Sequence, residues 1–499
     1  MNSKIIYDQP FDHKEYGSER NRIPALYTLN DGSVMAGADI RYAHGSDSPN
    51  NIDIAVAISK DGYTDWDYVM VNHFDDYADT VTSTDSASFI DSVIVQSKTT
   101  GRIFMLADAQ PSECGYLQCK TGTGYCEIDG KKYLLLTKGN NGDKLDTFGF
   151  YIGDFEGDFA PIFTRNDKKI TEYAVDREFR LYKNGEPLYT EQKGSENIKV
   201  QQNIFYSSAE LKCYKTTYLW LRYSDDNGKT WSHPQIVSEQ VKREKESFLG
   251  VGPGRGIVIN HNGKERILFC VYDNNGLFKD PIFENASVIY TDDNGETWHR
   301  SNKIKIKSGV GKTSESQLVK IESDNYNALR IYARNLSNYI AFADSLDGGE
   351  TWTTFRADKN LEGTKNCMVS LMETSRKIDG QQVILCSSGG NLKARADGIL
   401  RVGLTQNDGT VNWITTYHLT QGFYGYSCLT ELSDGNFAVF YEDEAAHLKY
   451  TVFSVDENGN INEINDENLD FKPDTSPKTQ RSIKFKRAVA NIKFKLGLM

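Results

Sequence analysis

An eight-residue string, SDDNGKTW at 224–231, recurs as TDDNGETW at 291–298 and as SLDGGETW at 345–352. Each copy opens on a hydroxyl residue and an Asp, whose oxygens can bond the local backbone. A Gly free to take positive φ follows, and Thr-Trp then re-enters a strand, which is the chemistry of a tight turn between β-strands with an indole anchoring it in the core. Two looser copies, SKDGYTDW at 59–66 and QNDGTVNW at 406–413, keep the Asp-Gly pair and the closing Trp and carry less weight. The three close copies start 67 and 54 residues apart. Spacings of one small sheet imply radial or linear repetition of a β unit rather than one continuous sheet.

The text around the turns agrees with that reading. From Arg22 to about Ala109 short apolar runs (ALYTL, SVMAGADI, IDIAVAIS, SVIVQ, RIFMLADA) alternate with turn residues, a β-meander by pattern. The repeat signal stops between about Cys114 and Cys213, where KGNNGD, DFEGDF and YKNGEP mark turns between further short strands; YLWLRYSDDNGKTW then resumes the meander, which runs to about Val455. The expected fold is all-β: a six-bladed β-propeller over residues 1–113 and 216–455, with a β-rich subdomain inserted at 114–215. A two-sheet sandwich or a β-helix is the rival, and the Trp-ended turns without a short fixed period favour the propeller. Residues 456–499 read first as an acidic linker (DENGNINEINDEN) and then as a basic tail with interleaved apolar residues (SIKFKRAVANIKFKLGLM), of no assigned role.

With a net charge of −12, nucleic acid is not the expected partner. A local arginine cluster still acts on an anion at contact distance, because the global field is screened beyond roughly 8 Å. No run of about 18 apolar residues is present to span a membrane, and the N-terminal residues MNSKIIYDQPFDHKEY show no apolar segment of a secretory leader. Cys270, Cys386 and Cys428 sit in apolar runs and read as buried thiols. Cys114, Cys119 and Cys126 cluster without a CxxC pair, so no metal is expected there.

Several charged residues sit awkwardly for a plain scaffold. Arg22 lies in NRIPAL, where Pro24 stiffens a strand start, and Asp47 in the Gly-Ser-rich ADIRYAHGSDS. Glu315 lies in TSESQLVKI, Arg334 at the end of LRIYARN, Arg395 and Arg401 in KARADGILRVGL, and Tyr426 and Glu442 in GFYGYSCLTELSDGNFAVFYE. Arginines that follow apolar runs are costly to bury unpaired, and an anionic ligand at a propeller's centre resolves that cost.

Together, the Arg-Ile-Pro motif, the repeated turns (Asp boxes), ESQLV with its following Arg, RADGILRVGL and GYSCLTE…FYE resemble the bacterial-type exo-sialidases, or neuraminidases, from about Arg22 to Tyr450. That family hydrolyses terminal N-acetylneuraminic acid from glycoconjugates with retention, and its use of a tyrosine nucleophile departs from the usual pair of carboxylates. The resemblance implies that Arg22, Arg334 and Arg395 hold the sialic acid carboxylate, with Arg401 as the competitor for the third place and Glu442 buttressing Arg22. Tyr426 would be the nucleophile, Glu315 its base, and Asp47, rather than Asp39, the acid/base on the leaving oxygen. Arg41 would reach the sugar's O4 side, and Ile90 and Asp91 in SFIDSVIV the N-acetyl group; Arg255 receives no role. No cofactor or metal is required, since arginines supply the positive charge.

Three alternatives stay open from sequence. An intramolecular trans-sialidase would release an anhydro sugar; the absence of a Trp in the EDEAAHLKY segment favours hydrolysis. A non-catalytic binding propeller would share the boxes but not the acid, base and nucleophile. The inserted region could bind carbohydrate, shape the rim or be structural. The expected partners are sialylated glycans, the expected state a monomer, and the family's setting extracellular or at the cell surface.

Overall fold

The computed structural model describes residues 9–11, 18, 20–42, 44–79, 81, 83–139, 144–276, 283–364, 366–443 and 447–464. The basic tail and residues 444–446 of the EDEAAHLKY segment lie outside the described residues. Six antiparallel meanders follow one another along the chain and form a six-bladed β-propeller. The blades begin with Arg20–Thr28, Ser88–Gln96, Phe248–Val251, Thr313–Glu322, Ser370–Ile378 and Tyr424–Glu431, and their fourth strands are Asp67–Asn72, Gln235–Ile236, His299–Arg300, Arg356–Glu362, Val411–His418 and Ile461–Glu463. The sixth blade's outer strand therefore falls inside the acidic stretch that reads as a linker. Its three residues pair with Phe453–Val455, and a span so short and polar carries no alternation signal.

Successive blades pack face to face, and each junction has its own apolar core. Leu26 and Ala36 of the first blade meet Phe440 and Val452 of the sixth, closing the ring. The second and third blades meet through Leu106, Leu249 and Phe269, the third and fourth through Leu268 and Ile331, the fourth and fifth through Tyr332 and Ile384, and the fifth and sixth through Leu385 and Val439.

The Asp-box turns all join the third strand of a blade to its fourth. In the first close copy Ser224 Oγ donates to Asp226 Oδ1 at 2.8 Å and accepts the Gly228 N–H at 2.8 Å, while Asp226 accepts from both the Thr230 N–H and its hydroxyl and Trp231 Nε1 donates to the Gly228 carbonyl. The copies at 291–298 and 345–352 repeat this set. Gly228 sits at φ 83°, and a Cβ added there would lie 2.4 Å from Met35 Cε on the first blade. Gly295 faces Phe104 of the second blade in the same way. Each box thus clamps its blade onto the preceding one, and the glycine is needed both for the turn and for that close approach. Of the looser copies, 59–66 keeps the Ser59–Asp61 bonds, whereas 406–413 is a plain tight turn closed by Asp408 and Thr410.

The second blade's middle strands, Ile103–Gln110 and Tyr218–Ser224, pair directly, with Ala109 opposite Tyr218. The intervening chain builds a separate eight-stranded sheet. That sheet shares a core with the first two blades: Phe179 and Phe205 each lie 5.5 Å from Trp220, and Phe74 stacks on Phe89 at 4.3 Å. Among the described residues no helix is long and apolar enough to cross a membrane.

Candidate active site

The first strands of the blades converge on a cavity of about 270 Å³ at the propeller's centre. In four blades the ladder of the first strand breaks where it reaches that cavity: between Arg22 and Ala25, Ile90 and Ser92, Thr313 and Ser316, and Tyr424 and Ser427. A bulge bends the strand and re-aims a side chain that would otherwise sit between blades. Two of these bulges hold residues in the left-handed region, Ile23 at φ 58° and Asp91 at φ 60°. For a β-branched residue that conformation is strained and persists only when its surroundings fix it. Ile23 is fixed by its N–H donating to Glu442 Oε1 at 3.1 Å.

Tyr426 is buried, and its hydroxyl donates to Glu315 Oε1 at 2.5 Å. Arg334 Nη1 donates to the same phenol oxygen at 2.8 Å and also to Glu315 Oε2. Arg395 stands on the far side of the ring, its guanidinium 5.2 Å from the centroid. Asn366 accepts from Arg334 Nε through its side chain at 3.1 Å and from Arg395 through its carbonyl at 3.5 Å, joining the two. Burial, followed by the neighbouring Glu315, pushes the Tyr426 phenol well above its usual pKa, against the pull of Arg334 and Arg395. The phenol is therefore neutral at ordinary pH and needs a base to attack.

Arg22 is held from both sides. Its Nε donates to Glu442 Oε1 at 3.0 Å, and its Nη1 to Asp47 Oδ1 at 3.2 Å. Glu442 is fully buried; burial disfavours its charge, but Arg22 and the N–H groups of Ile23 and Tyr426 hold its carboxyl below the ordinary range. Asp47 sits on a loop with its side chain 67% exposed. The protein around it works against its charge, while Arg41 and Arg22 prevail and depress its pKa.

Arg41 is fully buried and does not reach the cavity wall. Its Nη1 donates to Asp47 Oδ1 at 2.7 Å and its Nη2 to Asp39 Oδ2 at 2.8 Å, so in this arrangement it bears on Asp47 rather than on open space. Asp39, whose other oxygen accepts the Asp91 N–H at 3.1 Å, links that arginine to the bulge at Asp91. Ile90 and Asp91 line the cavity; burial and then Asp39 raise the Asp91 carboxyl well above its usual pKa. Arg401 lies outside, donating to Ser388 Oγ at 2.9 Å. Arg22, Asp47, Ile90, Asp91, Glu315, Arg334, Arg395 and Tyr426 thus line one cavity, with Arg41 bonded behind Asp47 and Glu442 behind Arg22.

Sequence reasoning missed part of the cavity. Tyr116, Phe248, Tyr272, Glu284 and Lys312 line it; the Tyr116 hydroxyl and Lys312 Nζ both bond Glu284. These residues stand in strings with no distinctive motif, and Tyr116 lies between Cys114 and Cys119. Among the described residues no cluster of potential metal ligands is present.

The chain as a whole is similar to known proteins. A family model described as "BNR repeat-like domain" matches residues 185–439. The anhydrosialidase of Macrobdella decora is 32% identical over 459 residues, covering 84% of this chain and 57% of that protein; a solved structure of a leech intramolecular trans-sialidase superposes with a TM-score of 0.81 at 31% identity, over 92% of this chain and 71% of that one. Sialidase B of Streptococcus pneumoniae is 28% identical, covering 84% of this chain and 61% of that protein. The chain therefore spans about three-fifths of the length of these two relatives. The crystal structure of the intramolecular trans-sialidase from Ruminococcus gnavus matches with a TM-score of 0.80 and 32% identity, over 92% of this chain and 99% of that one. Since that last match covers 99% of the solved chain at 32% identity and the repeat-like family model matches residues 185–439, the chain belongs to the bacterial-type sialidase family.

Proposed function

We propose that the chain is an exo-acting sialidase that cleaves a terminal α-linked sialic acid from glycans with retention, through a sialyl–Tyr426 intermediate. The observation that carries this reading is the Tyr426 hydroxyl donating to Glu315 at 2.5 Å while Arg334 bonds the same oxygen. The sialate carboxylate seats on Arg22, Arg334 and Arg395, whose guanidinium forks stay charged at any working pH. Glu315 takes the phenol proton, Tyr426 attacks C2, and Arg334 steadies the phenolate as it forms. A neutral nucleophile suits a carbon that already bears a carboxylate, which would repel an aspartate. Asp47 gives its proton to the departing glycosidic oxygen, then takes one from the water that attacks C2. Tyr426 leaves and recovers its proton from Glu315.

The second step divides into two readings. Hydrolysis is favoured by the lack of a Trp in the segment after Glu442. Attack by the sugar's own 7-hydroxyl is favoured by the relatives, two of which are named an anhydrosialidase and an intramolecular trans-sialidase; the leech structure holds 2,7-anhydro-Neu5Ac. Release of the fluorophore from a 4-methylumbelliferyl α-sialoside tests the cleavage, and proton NMR of the released sugar separates the two products. Tyr426→Phe is expected to lower turnover by at least about a thousandfold; retained turnover overturns the assignment. The inserted region contributes Tyr116 to the cavity wall, which supports a rim-shaping role for it. For a monomer, sedimentation near 56.3 kDa is the expected result.

A further inference from the structure

Cys114 and Cys119 have no part in the proposed reaction, yet they stand directly behind the cavity. Both are buried, their sulfur atoms lie 3.4 Å apart, and they pack with Phe248, Tyr272 and Tyr116, which line the cavity. Two short turns bring them together: the Cys114 N–H donates to the Pro111 carbonyl at 3.0 Å and the Cys119 N–H to the Gly115 carbonyl at 3.1 Å, with Glu113 in the left-handed region at φ 63°. Gly115, between them, lies flat against the loop that carries Asp47. A Cβ added there would lie 2.0 Å from the Ser48 carbonyl oxygen and 2.6 Å from Pro49 Cδ. The pair also has a built electrostatic setting. Cys119 Sγ lies 3.1 Å from Thr217 Oγ1, and the buried Lys242 bonds Thr216 Oγ1, the Thr217 carbonyl and the Ser247 carbonyl beside it. Burial disfavours a thiolate at Cys119, but Cys114, Lys242 and Thr217 prevail and lower its pKa, while the bond to Cys119 and burial raise that of Cys114.

We infer that Cys114 and Cys119 form a thiol–disulfide modification site, closed by exchange with small-molecule disulfides, whose closure shifts the cavity wall at Tyr116 and the loop at Asp47. The Cys119 thiolate attacks one sulfur of a disulfide RSSR, forming a mixed disulfide and expelling RS⁻. Cys114 then loses its proton, attacks the Cys119 sulfur, and expels the second RS⁻. Two protein thiols are oxidised, one RSSR is reduced to two RSH, and the protons go to the thiolates released. Bond formation must bring the sulfurs from 3.4 Å to about 2.05 Å. The movement falls on the segment 114–119, whose Gly115 and Tyr116 touch the Asp47 loop and the Glu284 side of the cavity.

The test incubates the folded chain with bis(2-hydroxyethyl) disulfide, alkylates it in denaturant and maps the peptides. The expected map shows the segment bearing Cys114 and Cys119 lighter by 2 Da and unalkylated, with the other six cysteines alkylated; this reading needs no turnover. Turnover of the fluorogenic sialoside should fall by up to about a hundredfold, as displacements of about 1 Å in a site do, and return with dithiothreitol. The Cys114→Ala variant should stop at the mixed disulfide on Cys119, heavier by the thioethanol group, and show no loss of 2 Da. Alkylation of both cysteines to the same extent as the other six overturns the modification site, and a closed disulfide with turnover unchanged overturns its link to the cavity.

Discussion

Asp47 faces opposite demands in the proposed reaction. As an acid it must carry a proton, yet against the desolvating effect of the surrounding protein Arg41 and Arg22 hold its carboxyl below the usual range. Substrate changes that balance. A sialate carboxylate arriving on Arg22 competes for the guanidinium that now donates to Asp47 at 3.2 Å, and it brings a second negative charge close by; both effects raise the Asp47 pKa. Binding of sialic acid near pH 5 should therefore take up a fraction of a proton. Calorimetry in two buffers of different ionisation enthalpy measures it, and zero uptake or net release contradicts the exchange. Arg41 makes this possible by remaining on Asp47 at 2.7 Å, so the carboxylate keeps its place when Arg22 turns to the ligand.

At the scale of elements, the Asp boxes and the bulged first strands divide the labour. The boxes sit on the outer turns, where they secure one blade to the next and make no contact with the cavity. Their indoles are not equivalent: Trp298 is 2% exposed and stacks on Phe269 with centroids 5.6 Å apart, whereas Trp231 is only half-buried. Replacing Trp298 by Ala should cost about 3–5 kcal/mol of unfolding free energy. Trp231→Ala should cost clearly less, and both should leave KM for the sialoside within about twofold. Denaturant titration and initial rates check this, and a large KM change in either variant contradicts the outer placement. The boxes were legible because their chemistry is local, a hydroxyl and a carboxylate closing a turn within eight residues. Arg22, Glu315, Arg334 and Tyr426 were legible because each sits in a distinctive string. The bulges that aim them were not, because register depends on the partner strand. For the same reason the Asp39–Arg41–Asp47 network could not be read: it depends on the second strand of one blade meeting the bulge of the next. Tyr116 and Lys312 reach the cavity because both bond Glu284 of the third blade, one from the insertion and the other from just before the fourth blade, which no local pattern encodes.

Across the whole molecule, closing the ring brings together residues more than 400 positions apart, as in Arg22 and Glu442. Among the described residues the first and sixth blades share no strand; side chains join them, with Phe11 packed against Tyr68 and Phe440 and the Gln9 side chain bonded to the Tyr450 backbone. Several carboxyls are trapped in this body. Burial raises Asp53 to about 8, Asp76 to about 7 and Asp39 to about 6. A carboxyl whose folded pKa exceeds its unfolded value, about 3.9, binds more proton in the native state between those limits, so stability falls as pH rises through that window. Glu442 has the opposite sign: its depressed pKa gives stability present above about pH 4.3 and lost as pH falls below it. The melting temperature should accordingly be highest near pH 5 and lower by several degrees at pH 8.5. Thermal unfolding across that range checks the sign, and a melting temperature that rises steadily to pH 8.5 contradicts it.

The central claim is that Tyr426 becomes covalently bonded to the sugar, and trapping tests it most directly. The chain would be incubated with a 3-fluorosialosyl fluoride, whose fluorine slows breakdown of a glycosyl–enzyme species, then digested and analysed by tandem mass spectrometry. The expected result is one fluorosialyl group on the peptide that contains Tyr426, located on that side chain. A label on Asp47, Glu315 or any other residue, or no label while the sialoside is being turned over, would contradict it.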